Sequence, residues 1–168
     1  TWLHLCLYLI DFQRRDTHGM EHEAALLKEE SGFEDVSLYY QSQAAAYAGQ
    51  LRESRTLTRR AVESARRADH ADSTAFYLAE AALREALFGN VALGNRQARA
   101  ALELSHSRDT EATAGIALAV SGDSVQAMLL ANDLGKRFPE DTIVQSRYIP
   151  MIHAATILNG SAASKEYD

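Results

Sequence analysis

The sequence predicts an all-α protein of about nine to ten helices, built from antiparallel helical hairpins that stack as a right-handed superhelix (α-solenoid). Five glycines, at positions 19, 49, 89, 122 and 160, each follow an apolar segment with helical periodicity. Successive glycines lie 30, 40, 33 and 38 residues apart, an average close to the period of a helical hairpin repeat. Only two prolines occur and alanine is abundant, which favours helices over long loops.

The periodicity places each helix along the chain. We expect helices over residues 2–15, 19–31, 34–48, 50–69, 72–88, 92–105, 109–121, 123–138 and 141–158, with a short last helix from about 161. The chain 1–168 then forms one domain of five units, which cover about 1–31, 34–69, 72–105, 109–139 and 141–168. A hairpin of this size cannot bury both faces alone, so neighbouring units are expected to stack.

The first helix begins with the most apolar stretch of the chain, Trp2 to Ile10. This stretch is far shorter than the roughly 18–20 residues that span a bilayer, so we expect a buried helix and no membrane segment. Cys6 lies within it and is expected to behave as a small hydrophobe. A single cysteine excludes an internal disulfide and favours a reducing, cytoplasmic location. Because the chain lacks an initiating methionine, we expect a fragment of a longer protein.

Later helices carry capping and breaking residues. Side-chain oxygens that can accept the free N–H groups of a first turn predict N-caps at Asp72 and Ser73, Asp109 and Thr110, and Asp141 and Thr142. Pro150 falls inside the ninth predicted helix, where it removes a backbone hydrogen bond. We therefore expect that helix to kink or split.

The fourth helix concentrates positive charge in a chain whose 17 Lys+Arg and 23 Asp+Glu give a net charge of -6. The net charge has the wrong sign for a protein devoted to nucleic acid. The helix nevertheless carries a basic surface, which we define as Arg52, Arg55, Arg59 and Arg60. Such a stripe could contact nucleic acid or an acidic partner. A solvated outer face is favoured, because Glu63 lies four residues from Arg59 and from Arg67 and can form i,i+4 pairs.

No catalytic or metal-binding pattern emerges from the titratable residues. His18 and His22 lie four apart, but His18 precedes Gly19 and is expected outside the helix, and no HExxH order is present. No serine or cysteine has a base at a recognisable spacing. We therefore predict a protein that is not an enzyme and that has no catalytic residues, no metal and no cofactor.

Three segments share a pattern of a turn glycine followed by small residues at helical spacing. Gly49 precedes Ser54 and Ala61, and Gly89 precedes Gly94 and Ala98. The third segment contains Gly122, Val125, Ala127, Ala131 and a closing Pro139. The pattern resembles the tetratricopeptide-repeat family, although the family's first-helix tryptophan is missing. The segments 59–63 and 136–142 are also similar to repeat regions attached to bacterial serine/threonine kinases and transcriptional regulators.

The resemblance implies a peptide-binding groove, because the first helix of each pair lines the concave wall in this family. The nominated groove residues are Val36, Tyr39, Gln43, Phe76, Leu83 and Ile116. The wall is largely apolar and could receive an amphipathic helix or an extended peptide. The alternative is that aromatic residues such as Tyr39 and Phe76 belong to the core.

These patterns predict a scaffold or docking module with a protein or peptide partner. The alternative is a regulatory sensor domain that binds a small ligand or nucleic acid as part of a larger kinase or transcriptional regulator. Self-association through the terminal repeats is also expected, because the first helix carries an apolar edge with Leu3, Leu5 and Ile10. On this hypothesis Leu5→Glu should weaken it.

Overall fold

The computed structural model describes residues 2–30 and 32–165. This part of the chain is almost entirely helical and contains no strand, so the all-α prediction is confirmed for it. Nine α-helices and one π-helical turn form here. They are α1 (Trp2–Arg14), α2 (Thr17–Glu29), α3 (Glu34–Tyr47), α4 (Leu51–Arg67), α5 (Ala71–Leu87), α6 (Val91–Leu104), α7 (Arg108–Val120), α8 (Ser124–Arg137), the π-helical turn Val144–Tyr148, and α9 (Ile149–Lys165).

The chain packs as two compact units, Thr1–His70 and Ala71–Asp168. Within each unit, consecutive helices pair as hairpins: α1 with α2, α3 with α4, α5 with α6, and α7 with α8. The helices α3, α5 and α7 begin at residues 34, 71 and 108, at equal intervals of 37 residues. This regular interval agrees with a helical hairpin repeat. The superhelical stacking and the five-unit domain stay predictions.

The turns between paired helices depend on glycine at the positions predicted for the central hairpins. Gly49, Gly89 and Gly122 have φ of 76°, 82° and 85°, a left-handed conformation that costs glycine little. The other two glycine assignments are wrong. Gly19 lies inside α2, because Asp16 caps that helix by accepting the Gly19 N–H at 3.0 Å. Gly160 lies inside α9, so the predicted separate helix from 161 does not form.

Two aromatic pairs and a buried tyrosine pack α1 into the first unit. The rings of Trp2 and Phe33 meet edge to face at 5.6 Å, and those of Phe12 and Tyr47 do so at 5.2 Å. Tyr8 is buried on the inner face of α1, and burial raises the pKa of its hydroxyl to about 12. The two aromatic pairs therefore hold α1 against both ends of α3, which begins after Phe33 and ends at Tyr47.

The outer face of α1 is exposed, so the prediction of a fully buried first helix is wrong. Leu5 and Tyr8 are buried, but Trp2 and Leu3 are 67% and 64% exposed, and Cys6 is exposed as well. One face of the helix is therefore packed and the other is exposed, although both faces carry apolar side chains.

We expect self-association to depend on Leu3 rather than on Leu5. Leu5→Glu would place a charge in the packed interior and destabilise the first unit, whereas Leu3→Glu alters only the exposed face. If the outer face pairs with another copy, Leu3→Glu should weaken association at least about tenfold in sedimentation equilibrium. Gln13→Glu, at another exposed position of α1, is the matched control. Wild-type protein that stays monomeric at high concentration would contradict the expectation.

The N-cap predictions are confirmed at only one of the three sites. The Asp141 carboxylate accepts the backbone N–H groups of Ile143 and Val144 at 2.9 and 3.1 Å. By contrast, α5 and α7 begin at Ala71 and Arg108, so Asp72 and Asp109 lie in their first turns. There a carboxylate still favours the helix through its dipole, but it is not the capping residue.

Pro150 distorts its helix without splitting it. The backbone of Val144–Tyr148 is π-helical, and the N–H of Ile149 donates to the carbonyl of Val144, five residues back. The helix then continues as α9. Since proline has no N–H to give to the preceding turn, the wider π-helical turn accommodates it. The predicted split is wrong, and a π-helical turn precedes the proline instead.

Small residues let the helices of the second unit approach closely. α7 contacts α5, α6, α8 and α9, and its segment from Thr110 to Ala119 is buried throughout. Gly94 in α6 is so close to α5 that an added Cβ would lie 2.9 Å from the carbonyl oxygen of Ala82. Close helix contacts of this kind require short side chains.

Candidate functional site

The six nominated groove residues are divided equally between the two units. In the first unit, Val36, Tyr39 and Gln43 are partly exposed on α3, and the ring of Tyr39 lies 5.0 Å from that of Tyr40. In the second unit, Phe76 and Leu83 are partly buried on α5. The third nominated residue of this unit, Ile116, lies on α7.

Ile116 belongs to the core of the second unit. It is 8% exposed on α7, among buried alanines of the same helix, so its nomination as a surface residue of a groove is wrong. The physical reason is that α7 is enclosed by other helices and has no open face there. Leu83 also packs against this core. The peptide-binding role of the remaining groove residues stays a prediction.

The first unit contains a cleft that the sequence did not reveal as a site. It has a volume of about 320 Å³ and opens between α2, α3 and α4. The residues that line it, which define the α2–α4 cleft, are Glu21, Ala24, Ala25, Lys28, Glu34, Ser37, Leu38, Gln41 and Arg60. Three small or aliphatic side chains line the cleft together with six polar or charged ones.

Glu34 is the best-anchored charge of the α2–α4 cleft. Its carboxylate accepts a hydrogen bond from the Ser64 hydroxyl at 2.5 Å and another from the Arg67 guanidinium at 3.0 Å. The hydrogen bond from Ser64, followed by the charge of Arg67, holds the pKa of Glu34 below its ordinary value. Glu34 is therefore ionised at neutral pH and already has a cationic partner.

The two cations that line the cleft, Lys28 and Arg60, have fewer polar partners than Glu34 among the described residues. Arg60 is exposed and acts on Glu34 through its charge, without a hydrogen bond among the described residues. Lys28 is exposed in the last turn of α2 and forms no ion pair with the side chains that the structure describes. Between them, the Gln41 side-chain amide donates to the Ser37 hydroxyl at 3.0 Å. The ammonium group of Lys28 and the guanidinium group of Arg60 thus belong to side chains that line one cleft.

The predicted basic surface lies on the exposed side of α4. Arg52, Arg55, Arg59 and Arg60 are all exposed, and the opposite side of the helix is buried through Leu57 and Ala61. The expected pair of Glu63 with Arg67 is wrong, because the Arg67 guanidinium reaches across to Glu34. Of the four arginines, only Arg60 lines the cleft.

The second unit has a shallow apolar groove along α8. It has a volume of about 400 Å³ and is lined by Ser124, Val125, Met128, Leu129 and Asn132. Val125 and Leu129 are 72% and 56% exposed, one helical turn apart. Val125, which the sequence places in the repeat pattern, is thus on the open face of α8. Ala127 and Ala131 of the same helix are buried as expected.

Histidines serve as partners of buried carboxylates. His4 Nδ1 lies 2.6 Å from Glu23, and His106 Nδ1 lies 2.9 Å from Glu111. His18, expected outside the helix, is the second residue of α2. In residues 2–30 and 32–165, no three His, Cys, Asp or Glu side chains gather in a way that could hold a metal ion. The non-enzymatic and cofactor-free character of the protein stays a prediction.

No family model matches this chain, and neither does any curated protein or solved structure. The tetratricopeptide resemblance therefore depends on the residues quoted above alone. Among the helices described, none has both the length and the apolar character needed to cross a membrane.

Proposed function

We propose that this chain is a non-catalytic docking module of tetratricopeptide type, which binds a short segment of a partner protein in the α2–α4 cleft. The observation that carries the proposal is the cleft itself, with its volume of about 320 Å³ and its mixed lining. Ala24, Ala25 and the buried Leu38 offer apolar contact, and the surrounding polar groups can fix an orientation. A space of this size accommodates a few side chains of a peptide.

The polar groups of the cleft suit recognition better than catalysis. The one hydroxyl among its lining residues, that of Ser37, accepts a hydrogen bond from the Gln41 amide, which is not a base that could activate it. Neither histidine nor cysteine occurs among the described lining residues. Guanidinium, ammonium and amide groups commonly hold a bound peptide by hydrogen bonds and charge.

Filling the cleft with a large side chain should weaken peptide binding. Ala25 is exposed and lines the cleft, so Ala25→Trp would occupy the space without entering a packed interior. Peptides selected by wild-type protein from a random displayed library should bind Ala25→Trp at least about tenfold more weakly in direct titration. Ala92→Trp introduces the same side chain at an exposed position of α6 in the second unit and should leave affinity unchanged.

Two other results would place the docking site outside the α2–α4 cleft. If the selected peptides bind Ala25→Trp as well as wild type but lose affinity for Leu129→Glu, the α8 groove is the docking site. If they respond only to Tyr39→Ala and Phe76→Ala, the groove nominated from the sequence is the site. Circular dichroism of each variant checks that the helices remain formed.

A regulatory sensor is the second candidate, favoured by the size of the same cleft. A volume of about 320 Å³ also falls in the range of small-ligand sites. In that case the library would yield no peptide that depends on the cleft. Binding of nucleic acid through the basic surface would instead fall steeply with added salt and respond to Arg55→Glu and Arg59→Glu.

A further inference from the structure

We infer that the α2–α4 cleft selects an acidic segment of its protein partner, with a carboxylate of that segment held between Lys28 and Arg60. The inference rests on the proposed docking function and adds the chemical class of the ligand. It follows from the way in which the charges around the cleft are already paired.

When Arg67 is counted, three cations stand against two carboxylates at the cleft, an excess of one positive charge. Of these two carboxylates, Glu34 is hydrogen-bonded to Ser64 and to Arg67, a cation outside the lining. Arg60 and Lys28 have no hydrogen-bonded carboxylate among the described residues, although the charge of Arg60 also acts on Glu34, and Glu21 is the second anion in the lining. An incoming carboxylate would gain two charge-assisted partners, and such hydrogen bonds are stronger than neutral ones.

The remaining lining fits the stem of an acidic side chain. Ala24, Ala25 and Leu38 present methyl and methylene groups, against which the methylene groups of a glutamate can pack. The Gln41 side chain offers a further amide at the same wall. The cleft therefore combines an apolar surface and a cationic end, as recognition of a glutamate in a peptide requires.

A polyanion fits the same cleft poorly. Glu21 and the ionised Glu34 stand at the cleft and would repel successive phosphates, and the net charge of the chain is -6. A single carboxylate between two cations avoids most of this repulsion. The charge distribution thus favours an acidic protein segment over nucleic acid.

The experiment compares two labelled peptides that differ only in charge. A glutamate-rich hexapeptide and its glutamine counterpart are titrated by fluorescence anisotropy at about 0.15 M salt with the full chain. The glutamate peptide should bind at least about fivefold more tightly to wild-type protein, and Arg60→Glu or Lys28→Glu should weaken its binding about tenfold. The glutamine peptide should bind these variants as it binds wild type.

Arg59→Glu supplies the matched control. It makes the same change in net charge on the same helix, but Arg59 is exposed and lies outside the cleft lining. Affinity for the glutamate peptide should change less than about twofold in this variant. Competition with free glutarate separates the two sources of a carboxylate. We expect glutarate to displace the peptide only weakly, because it lacks the contacts that a peptide backbone adds.

The possible contrary results separate the docking function of the cleft from its preference for an acidic peptide. Equal binding of both peptides, unchanged by Arg60→Glu but lost in Ala25→Trp, would keep the docking function and overturn the acidic preference. Equal losses in Arg59→Glu and Arg60→Glu would overturn it too, because the effect would be one of net charge. Binding of neither peptide at millimolar concentration would also overturn it, whereas library peptides that depend on Ala25 would still support docking.

Discussion

Arg137→Met is expected to lower the free energy of unfolding of the second unit by about 3 kcal/mol. Glu111 is 2% exposed on α7, and its carboxylate oxygens lie 2.9 and 3.2 Å from the Arg137 guanidinium. Removal of the arginine leaves a buried carboxylate with the exposed His106 as its remaining hydrogen-bond partner. Since Arg137 is itself 37% exposed, the loss should fall at the lower end of the range for broken buried pairs.

Urea denaturation followed by circular dichroism measures this loss. Arg147→Met, at an exposed position outside the pair, should change stability by less than about 0.5 kcal/mol. The double variant Glu111→Leu/Arg137→Met should recover most of the loss, because it removes the buried charge together with its partner. If the double variant is no more stable than Arg137→Met, the buried charge is not the cause.

The second large effect is expected at Gly94. Gly94→Ala should destabilise the second unit by about 1–2 kcal/mol, although alanine favours a helix over glycine by nearly 1 kcal/mol. The added Cβ would lie 2.9 Å from the carbonyl oxygen of Ala82 and 3.1 Å from the backbone nitrogen of Ala86. These are backbone atoms of α5, which can move away only if the whole helix moves.

Gly115→Ala is the matched comparison within the same unit. Its Cβ would also meet an atom at 2.9 Å, but that atom is Cδ1 of Ile152, the end of a flexible side chain. The isoleucine can change its rotamer, so we expect Gly115→Ala to be neutral within about 1 kcal/mol. Thermal unfolding of the two variants side by side measures the difference. Equal destabilisation would show that the contact with α5 is not what limits position 94.

Local patterns predicted the helices well because they are carried by neighbouring residues. The turn glycines 49, 89 and 122 stand where the chain must adopt positive φ, which few other residues tolerate. Gly19 looked the same in sequence, but there the turn uses Arg15 at φ 59° and the cap at Asp16. A glycine alone does not indicate whether a neighbouring residue has already made the turn.

The site was harder to predict because it depends on how separate helices meet. Ile116 has helical spacing like a groove residue, yet α7 has neighbours on all sides, and periodicity cannot separate a concave face from an enclosed one. The α2–α4 cleft joins Lys28 to Arg60, which are distant in sequence. One local pattern was overlooked. Glu21, Ala24 and Lys28 share a face of α2 where small residues leave room between opposite charges.

The enclosed position of α7 also constrains the order in which the second unit can come apart. α7 contacts four other helices, and its small side chains offer little area to any one of them. It cannot reach solvent before some of them detach. We therefore expect the backbone amides of α7 to exchange with solvent more slowly than those of the other helices of this unit, although α7 carries almost none of the large side chains that usually mark such a centre.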